Sequence, residues 1–253
     1  MKINWKIKLG AILLLLSVAI YTFAYFYFHE ADKVLFYIVI DLAFMPLDVL
    51  LVVLIVEGLI NKKEKENILE KMDMILSVFF SEVGTEILSK FSKLDSNVDK
   101  IRHVLDNIET WSDKDFKKFL REFKNSDYKF DLQVKDETEQ EFFIELKQLL
   151  VEKREFLIRL LENPNLMEKD SFSTLLLGIF HLDEELEKRD FGYSNIPETD
   201  YKHLINDVDR VYSSLIYEWI SYLHYLKNHY PYIFSLSIRT NPFNERANIY
   251  ITE

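Results

Sequence analysis

The sequence contains no cysteine, and its 253 residues include only five glycines and five prolines. Without cysteine, a disulfide framework is excluded, and so is any metal site built on thiolates. The absence of cysteine also fits a reducing compartment. Because residues that interrupt helices are scarce, long and mostly uninterrupted helices are expected.

Charged residues are absent from residues 9–28, and basic residues are absent from residues 34–60. A helix needs about 20 mostly apolar residues to cross ~30 Å of hydrocarbon. Both segments are long enough, and no comparable run follows residue 61. The sequence therefore predicts a transmembrane hairpin within residues 1–61, with spans at about 9–28 and 34–60 and the lipid bilayer as a partner.

The first apolar run differs from a cleaved signal peptide, because it ends in the aromatic residues 25–28 and lacks a small-residue cleavage site. Three lysines precede the first span and three follow the second, whereas the connector HEADK has one. An excess of basic residues marks the cytoplasmic side. We therefore expect a multi-pass plasma-membrane protein with both termini in the cytoplasm and a tight outer turn over residues 29–33.

The remaining chain, residues 61–253, is acidic, with 27 basic against 37 acidic residues. A negative field of this kind argues against a nucleic-acid surface. Apolar residues at helical spacing predict that the second span continues as an amphipathic stalk over residues 62–94. Residues 95–253 are then expected to form a cytosolic acidic helical domain.

Within that domain, helical periodicity and capping residues predict five further helices. They are expected at about 95–110, from Ser112 onward, at 137–162, at 169–190, and from Thr199 or Asp200 to Pro231. Residues 128–134 alternate apolar and polar side chains, which is typical of a strand, and residues 247–252 are the expected pairing partner. The predicted fold class is an all-α integral membrane protein with this one minor β pairing.

Four stretches carry a resemblance to a known family: FFSEVGT at 79–85, LLENPNL at 160–166, FHLDEELEKR at 180–189 and YPYIFSLSIRTNPF at 230–243. They resemble a family of uncharacterised prokaryotic two-span membrane proteins with a cytosolic helical domain. The resemblance covers most of the chain, including the second span. It implies the two-span layout, but it implies no activity and no catalytic residue.

The second span is unusual because it contains Asp41, Asp48 and Pro46. No placement of the span keeps both acids out of the hydrocarbon, and an ionisable group at that depth is costly and indicates function by default. The two acids are seven residues apart and share one face of the helix. Pro46 leaves one backbone carbonyl without its usual donor.

The first span offers polar partners but no base. In an antiparallel hairpin, Ser17 is expected near the depth of Asp48, and Tyr21 or Thr22 near that of Asp41. Two hypotheses remain open. Neutral aspartates form hydrogen bonds within the hairpin or between subunits, or rings of aspartates line a cation path in an oligomer. The first is favoured.

Four polar residues beside the predicted membrane surface are further candidates. Glu57 is expected at the cytosolic interface, and the stretch FFSEVGT places Glu82, Thr85 and Glu86 at the edge of the apolar stripe. The polar residues of FFSEVGT are expected to contact either an ion or ligand, or neighbouring helices, and helix packing is favoured. Gly84 costs a helix roughly 1 kcal/mol relative to alanine, so we expect close packing at that position.

The C-terminal stretch is rich in aromatic residues, and Tyr230, Tyr232, Phe234, Arg239 and Phe243 are candidates for docking a partner or a second subunit. The alternative, which is favoured, packs Tyr232, Phe234 and Ile238 against the preceding long helix. If Arg239 is buried it must be paired, and a helix acid is the expected partner.

No motif for nucleophilic catalysis, for nucleotide binding or for a metal is recognisable, and no cofactor is expected. Helical di-metal sites use Glu-x-x-His pairs from two helices, and the chain has none. The sequence thus predicts a non-enzymatic, self-associating membrane-anchored module with a scaffolding or sensing role and a protein partner at its cytosolic domain. A homo-oligomeric cation channel and a membrane-tethered enzyme are the alternatives.

Overall fold

The computed structural model describes residues 5–28, 31–126, 128–132, 136–191, 196–244 and 247–250. These residues are all-α, as predicted. They divide into two compact units, Met1–Lys65 and Glu66–Glu253.

The first unit contains α1 (Trp5–Phe28) and the beginning of α2 (Ala31–Phe79). Both helices are long and apolar enough to cross a membrane by length and composition, and none of the residues in their most apolar windows is buried. Pro46 lies inside α2 without ending it. Residues 29 and 30 lie outside the described part of the chain. Because Ala31 already begins α2, the turn predicted over residues 29–33 is too long.

The end of α2 belongs to the second unit, where Met72, Leu76 and Phe79 are completely buried. The π-helical turn Phe80–Gly84 and α3 (Thr85–Leu94) continue this segment. The predicted stalk is therefore a core segment from Met72 onward. Adjacent residues such as Phe79 and Phe80 are both buried. The buried surface of this helix is therefore wider than the single apolar stripe of an amphipathic stalk.

Gly84 is the last residue of the π-helical turn, and the side chains of Phe79 and Phe80 pack against it. A Cβ atom at this position would lie 2.5 Å from Phe79 Cε1 and 2.8 Å from Phe80 Cδ1. No side chain fits without moving these two buried rings. The close packing predicted at Gly84 is thereby confirmed, and it explains why glycine is retained within a helical segment.

The described residues of the second unit continue with six helices and two short 3₁₀ turns. The helices are α4 (Val98–Leu105), α5 (Asp113–Lys124), α6 (Asp136–Leu161), α7 (Asp170–Glu187), α8 (Glu198–His229) and α9 (Pro231–Arg239). The long helix α8 is central, because α3, α5, α7 and α9 all pack against it. Helix α6 covers α7.

Most of these helices begin and end close to their predicted bounds. Ser112 caps α5 as predicted, in a capping box with Asp115. The helix expected over residues 95–110 is shorter, since α4 ends at Leu105 and a separate 3₁₀ turn follows at Ile108–Thr110. Pro231 ends α8 and also supplies the first residue of α9, a position that tolerates proline because its N–H would have no helical partner.

The predicted β pairing is not formed in the described residues of the two segments. Leu132 instead forms an isolated antiparallel bridge with Asp95, and Ser96 donates its N–H to the carbonyl of Asp131. Residues 133–134 and 251–252 of the predicted strands lie outside the described residues. The alternation at 128–132 arises because Phe130 enters the core from an irregular segment.

Candidate functional site

Helices α7 and α8 bring together four side chains that are able to bind a metal ion. His181 and Glu185 are four residues apart on α7, and His203 and Asp207 are four residues apart on α8. Residues at this spacing lie on one face of a helix. Because α7 and α8 pack against each other, the two pairs meet, and the nitrogen and oxygen atoms of His181, Glu185 and His203 all lie within 4.8 Å of one another.

Asp207 lies beside both histidines of this cluster. Its Oδ2 atom is 3.4 Å from His181 Nε2 and 3.4 Å from His203 Nε2. His203 Nε2 is in turn 3.8 Å from Glu185 Oε2. The histidine side chains are 46% and 47% exposed, so the cluster is open to solvent on one side.

The carboxylate of Asp207 is only 2% exposed, and its two oxygens have different surroundings. Oδ1 accepts a short hydrogen bond from Arg210. Oδ2 is buried without a hydrogen-bond donor in the described structure. A buried carboxylate oxygen without a donor is costly, so this atom is where a cation would be bound most favourably.

Arg189 fixes the carboxylate of Glu185 through Oε2, the oxygen that also faces His203. Its guanidinium donates to Glu185 Oε2 at 2.5 Å and to both carboxylate oxygens of Asp200, at 2.8 and 2.7 Å. The hydrogen bond from Arg189 holds the pKa of Glu185 below its usual range, and the same is true of the pKa of Asp200. Glu185 is therefore ionised at neutral pH.

This cluster is not recognisable as a sequence motif, because neither helix carries a known metal-binding motif by itself. A His-x-x-x-carboxylate pair is common and uninformative when it occurs once. The signal that would have found the cluster is the repetition of this spacing in two neighbouring helices, one within FHLDEELEKR.

Within the first unit, the Tyr21 hydroxyl donates to Asp41 Oδ2 at 2.6 Å. This is the depth match expected for an antiparallel hairpin. Thr22 instead donates to the carbonyl of Val18 in its own helix. Ser17 and Asp48 are exposed, and among the described residues Asp48 has no hydrogen-bond partner.

The juxtamembrane candidates are more dispersed. Glu57 is exposed in the first unit, and Glu82 is exposed in the second. Thr85 and Glu86 line a polar groove of about 920 Å³, whose opposite wall includes residues 240–244. The stretches FFSEVGT and TNPF, which are separated by about 150 residues, therefore contribute to the same groove. Its walls also include Asp95 and Arg102.

The C-terminal candidates divide into buried and exposed residues. Phe243 is 1% exposed and packs on Trp219, with ring centroids 5.4 Å apart. Phe234 is also buried, and Tyr230 is half-buried. Tyr232 is 72% exposed, so its predicted packing on α8 is wrong, because its side chain leaves α9 on the solvent side.

Arg239 was expected to pair with a helix acid if buried. It is half-buried and donates instead to two backbone carbonyls, those of Ser235 at 3.4 Å and Ile249 at 3.1 Å. The bond to Ile249 holds residues 247–250 against the end of α9, whereas the bond to Ser235 lies within α9.

Comparison with known proteins shows the family. Residues 68–239 match the family model described as "Uncharacterized protein MJ1433, C-terminal helical domain", and residues 1–60 match "MJ1433, N-terminal helical domain". The chain belongs to the MJ1433 family. It is 41% identical over 246 residues to uncharacterized protein MJ1433 of Methanocaldococcus jannaschii, covering 97% of this chain and 96% of that protein. No solved structure matches the chain.

Membership of the MJ1433 family confirms the resemblance to an uncharacterised family and agrees with the all-helical fold. The MJ1433 descriptions name two helical domains and no activity. Function must therefore be inferred from the residues themselves.

Proposed function

We propose that this protein is a membrane-anchored, self-associating helical module with a sensing or scaffolding role and no catalytic activity of its own. The observation that carries the proposal is the contrast between the two parts of α2. The same helix supplies a long, exposed apolar segment in the first unit and completely buried core residues in the second. A helix of this kind connects a membrane span directly to the core of a folded domain.

Anchoring in a membrane is supported by the exposure of the apolar side chains of α1 and α2. The apolar windows of α1 and α2 have no buried residue, whereas the second unit buries a continuous core of its own. Water is an unfavourable solvent for such a surface, and a lipid bilayer is a favourable one. The distribution of lysines supports an orientation with both termini in the cytoplasm.

Self-association is supported by Asp48. Tyr21 satisfies Asp41 within the hairpin, but Asp48 has no partner in the described part of the chain. Polar side chains in hydrocarbon are bound by neighbouring helices or exposed to water in a cavity. A second copy of the chain would supply such a partner.

A homo-oligomeric cation channel is the second candidate. Asp48 favours it, because an exposed carboxylate in a span is able to line a water-filled path. Two spans per chain enclose no pore, so this candidate needs a ring of about four or more copies.

The stoichiometry in lipid nanodiscs tests self-association. We expect native mass spectrometry to show a dimer for the wild type and a shift toward monomer for Asp48→Leu, because the substitution removes the polar contact between copies. Asp32→Asn, which precedes the predicted span of residues 34–60, is the matched control and should remain dimeric. A monomer at every ratio of protein to lipid contradicts self-association, and a conducting ring of four or more copies favours the channel.

A further inference from the structure

We propose that His181, Glu185, His203 and Asp207 bind one divalent transition-metal ion of the Zn²⁺ type between α7 and α8. The role of this ion as the stimulus of a sensor rests on the proposed function. The binding itself rests only on the geometry of the second unit.

The distances around Asp207 agree with tetrahedral coordination. In a tetrahedron with ligands at 2.0–2.1 Å, the ligand atoms are separated by about 3.3–3.4 Å. Asp207 Oδ2 lies 3.4 Å from each of the two histidine Nε2 atoms. Asp207 Oδ2 thus lies at the required separation from each histidine nitrogen, and Glu185 Oε2, 3.8 Å from His203 Nε2, is the proposed fourth ligand atom.

The ligand types select the class of ion. Two imidazoles and two carboxylates suit Zn²⁺ and other divalent first-row ions, while Mg²⁺ and Ca²⁺ prefer oxygen ligands alone. Cu⁺ prefers thiolates and thioethers, and the chain contains no cysteine. Two neutral imidazoles and two carboxylates also balance the charge of a divalent ion.

The burial of Asp207 gives the strongest independent support for the metal site. Asp207 is 2% exposed, and its Oδ2 lacks a hydrogen-bond donor while facing both imidazoles. Arg210 occupies the other oxygen of the carboxylate and fixes its orientation. Arg189 donates to Glu185 Oε2, the oxygen that also faces His203, and so holds that carboxylate in place. Partners of this kind beyond the ligands hold a metal site in its geometry.

The exposure of the histidines supplies an entry path for the ion. Once bound, the ion would link α7 to α8, the helix on which most of the second unit packs. Metal occupancy would therefore stabilise the interface at the centre of the domain, which is a suitable response for a sensor.

The test uses the full chain in nanodiscs, purified without a histidine tag, because a tag would itself bind the metal. Isothermal titration calorimetry with ZnSO₄ should show one equivalent bound, and Co²⁺ should give the intense visible absorption of a tetrahedral complex. His203→Ala should weaken Zn²⁺ binding by more than the roughly 10–100-fold that loss of a partner beyond the ligands typically costs.

His103→Ala is the matched control, because His103 is also exposed beside a carboxylate, that of Asp106. It should bind Zn²⁺ as the wild type does. Asp207→Asn keeps the shape of the side chain and should lose the tetrahedral Co²⁺ spectrum, with circular dichroism confirming that the variant is folded. Failure of the wild type to bind one equivalent, or unchanged binding by both His203→Ala and Asp207→Asn, overturns the proposal.

The metal proposal and the proposed function fail separately. A monomer that binds one Zn²⁺ in nanodiscs contradicts self-association and supports the metal site. A dimer that binds no Zn²⁺ supports self-association and overturns the metal site.

Discussion

Replacement of Lys169 by methionine is expected to lower the free energy of unfolding by about 3–5 kcal/mol at neutral pH, the usual cost of breaking a buried ion pair. Lys169 Nζ lies 2.6 Å from Asp73 Oδ1 and 3.6 Å from Glu218 Oε2. The Glu218 side chain is completely buried in α8, and Asp73 lies on the buried part of α2. Without the ammonium group, two neighbouring carboxylates remain with no compensating charge.

The loss should depend on pH. Burial raises the pKa of Glu218, and the charge of Lys169 opposes that rise. A carboxyl group whose pKa is higher in the folded state favours folding when it is protonated. The Lys169→Met variant should therefore recover stability as the pH falls from neutral through the raised folded pKa, and the recovery is complete below the unfolded pKa of about 4.3.

Urea unfolding of the full chain in detergent, at pH 7.5 and at pH 5, measures both effects. The double variant Lys169→Met/Glu218→Gln should regain much of the loss at pH 7.5. Lys202→Met is the control, because Lys202 forms an exposed pair with Glu198 and should change stability by less than about 0.5 kcal/mol. A loss in Lys169→Met that is equally small would contradict the account of this network.

Replacement of Phe243 by alanine is expected to cost about 3–5 kcal/mol of stability, which is typical of a large side chain removed from a core. Phe243 is 1% exposed and lies against Trp219. Its removal leaves a cavity beside α8 and loosens one wall of the groove that it shares with Thr85 and Glu86. Denaturant unfolding checks this value.

Tyr232→Ala is the matched comparison from the same aromatic stretch. Tyr232 is 72% exposed, so its loss should change stability by less than about 0.5 kcal/mol. If Phe243→Ala is as mild as Tyr232→Ala, the C-terminal turn does not form part of the core. That result would restore the docking interpretation for this end of the chain.

Local sequence patterns predicted the helices well because they act within one segment. Ser112 and Asp115 cap α5 through side chains three residues apart, and Gly84 lies under the rings of Phe79 and Phe80, which are five and four residues earlier. The contact between Tyr21 and Asp41 was also predictable, because a short connector fixes the relative depth of two helices in a hairpin.

Features that depend on packing between distant segments were not predictable from one sequence. The spacing of Met72, Phe79 and Phe91 indicated a helix. It did not show how many other helices pack against that helix, so a helix of the core was predicted to be a stalk. The metal cluster likewise requires α7 and α8 to pack with a particular register. His181 and His203 are 22 residues apart, and nothing in their local surroundings indicates that both face Asp207.

Labelling of single cysteines in intact cells tests most directly whether the two apolar helices cross a membrane. The chain has no cysteine, so Lys33→Cys and Lys63→Cys each create a unique target for a membrane-impermeant maleimide. We predict that Lys33→Cys is labelled from outside, and that Lys63→Cys is labelled only after the membrane is opened. Equal labelling of both positions from one side, with release of the chain by an alkaline carbonate wash, would contradict the membrane-anchored account.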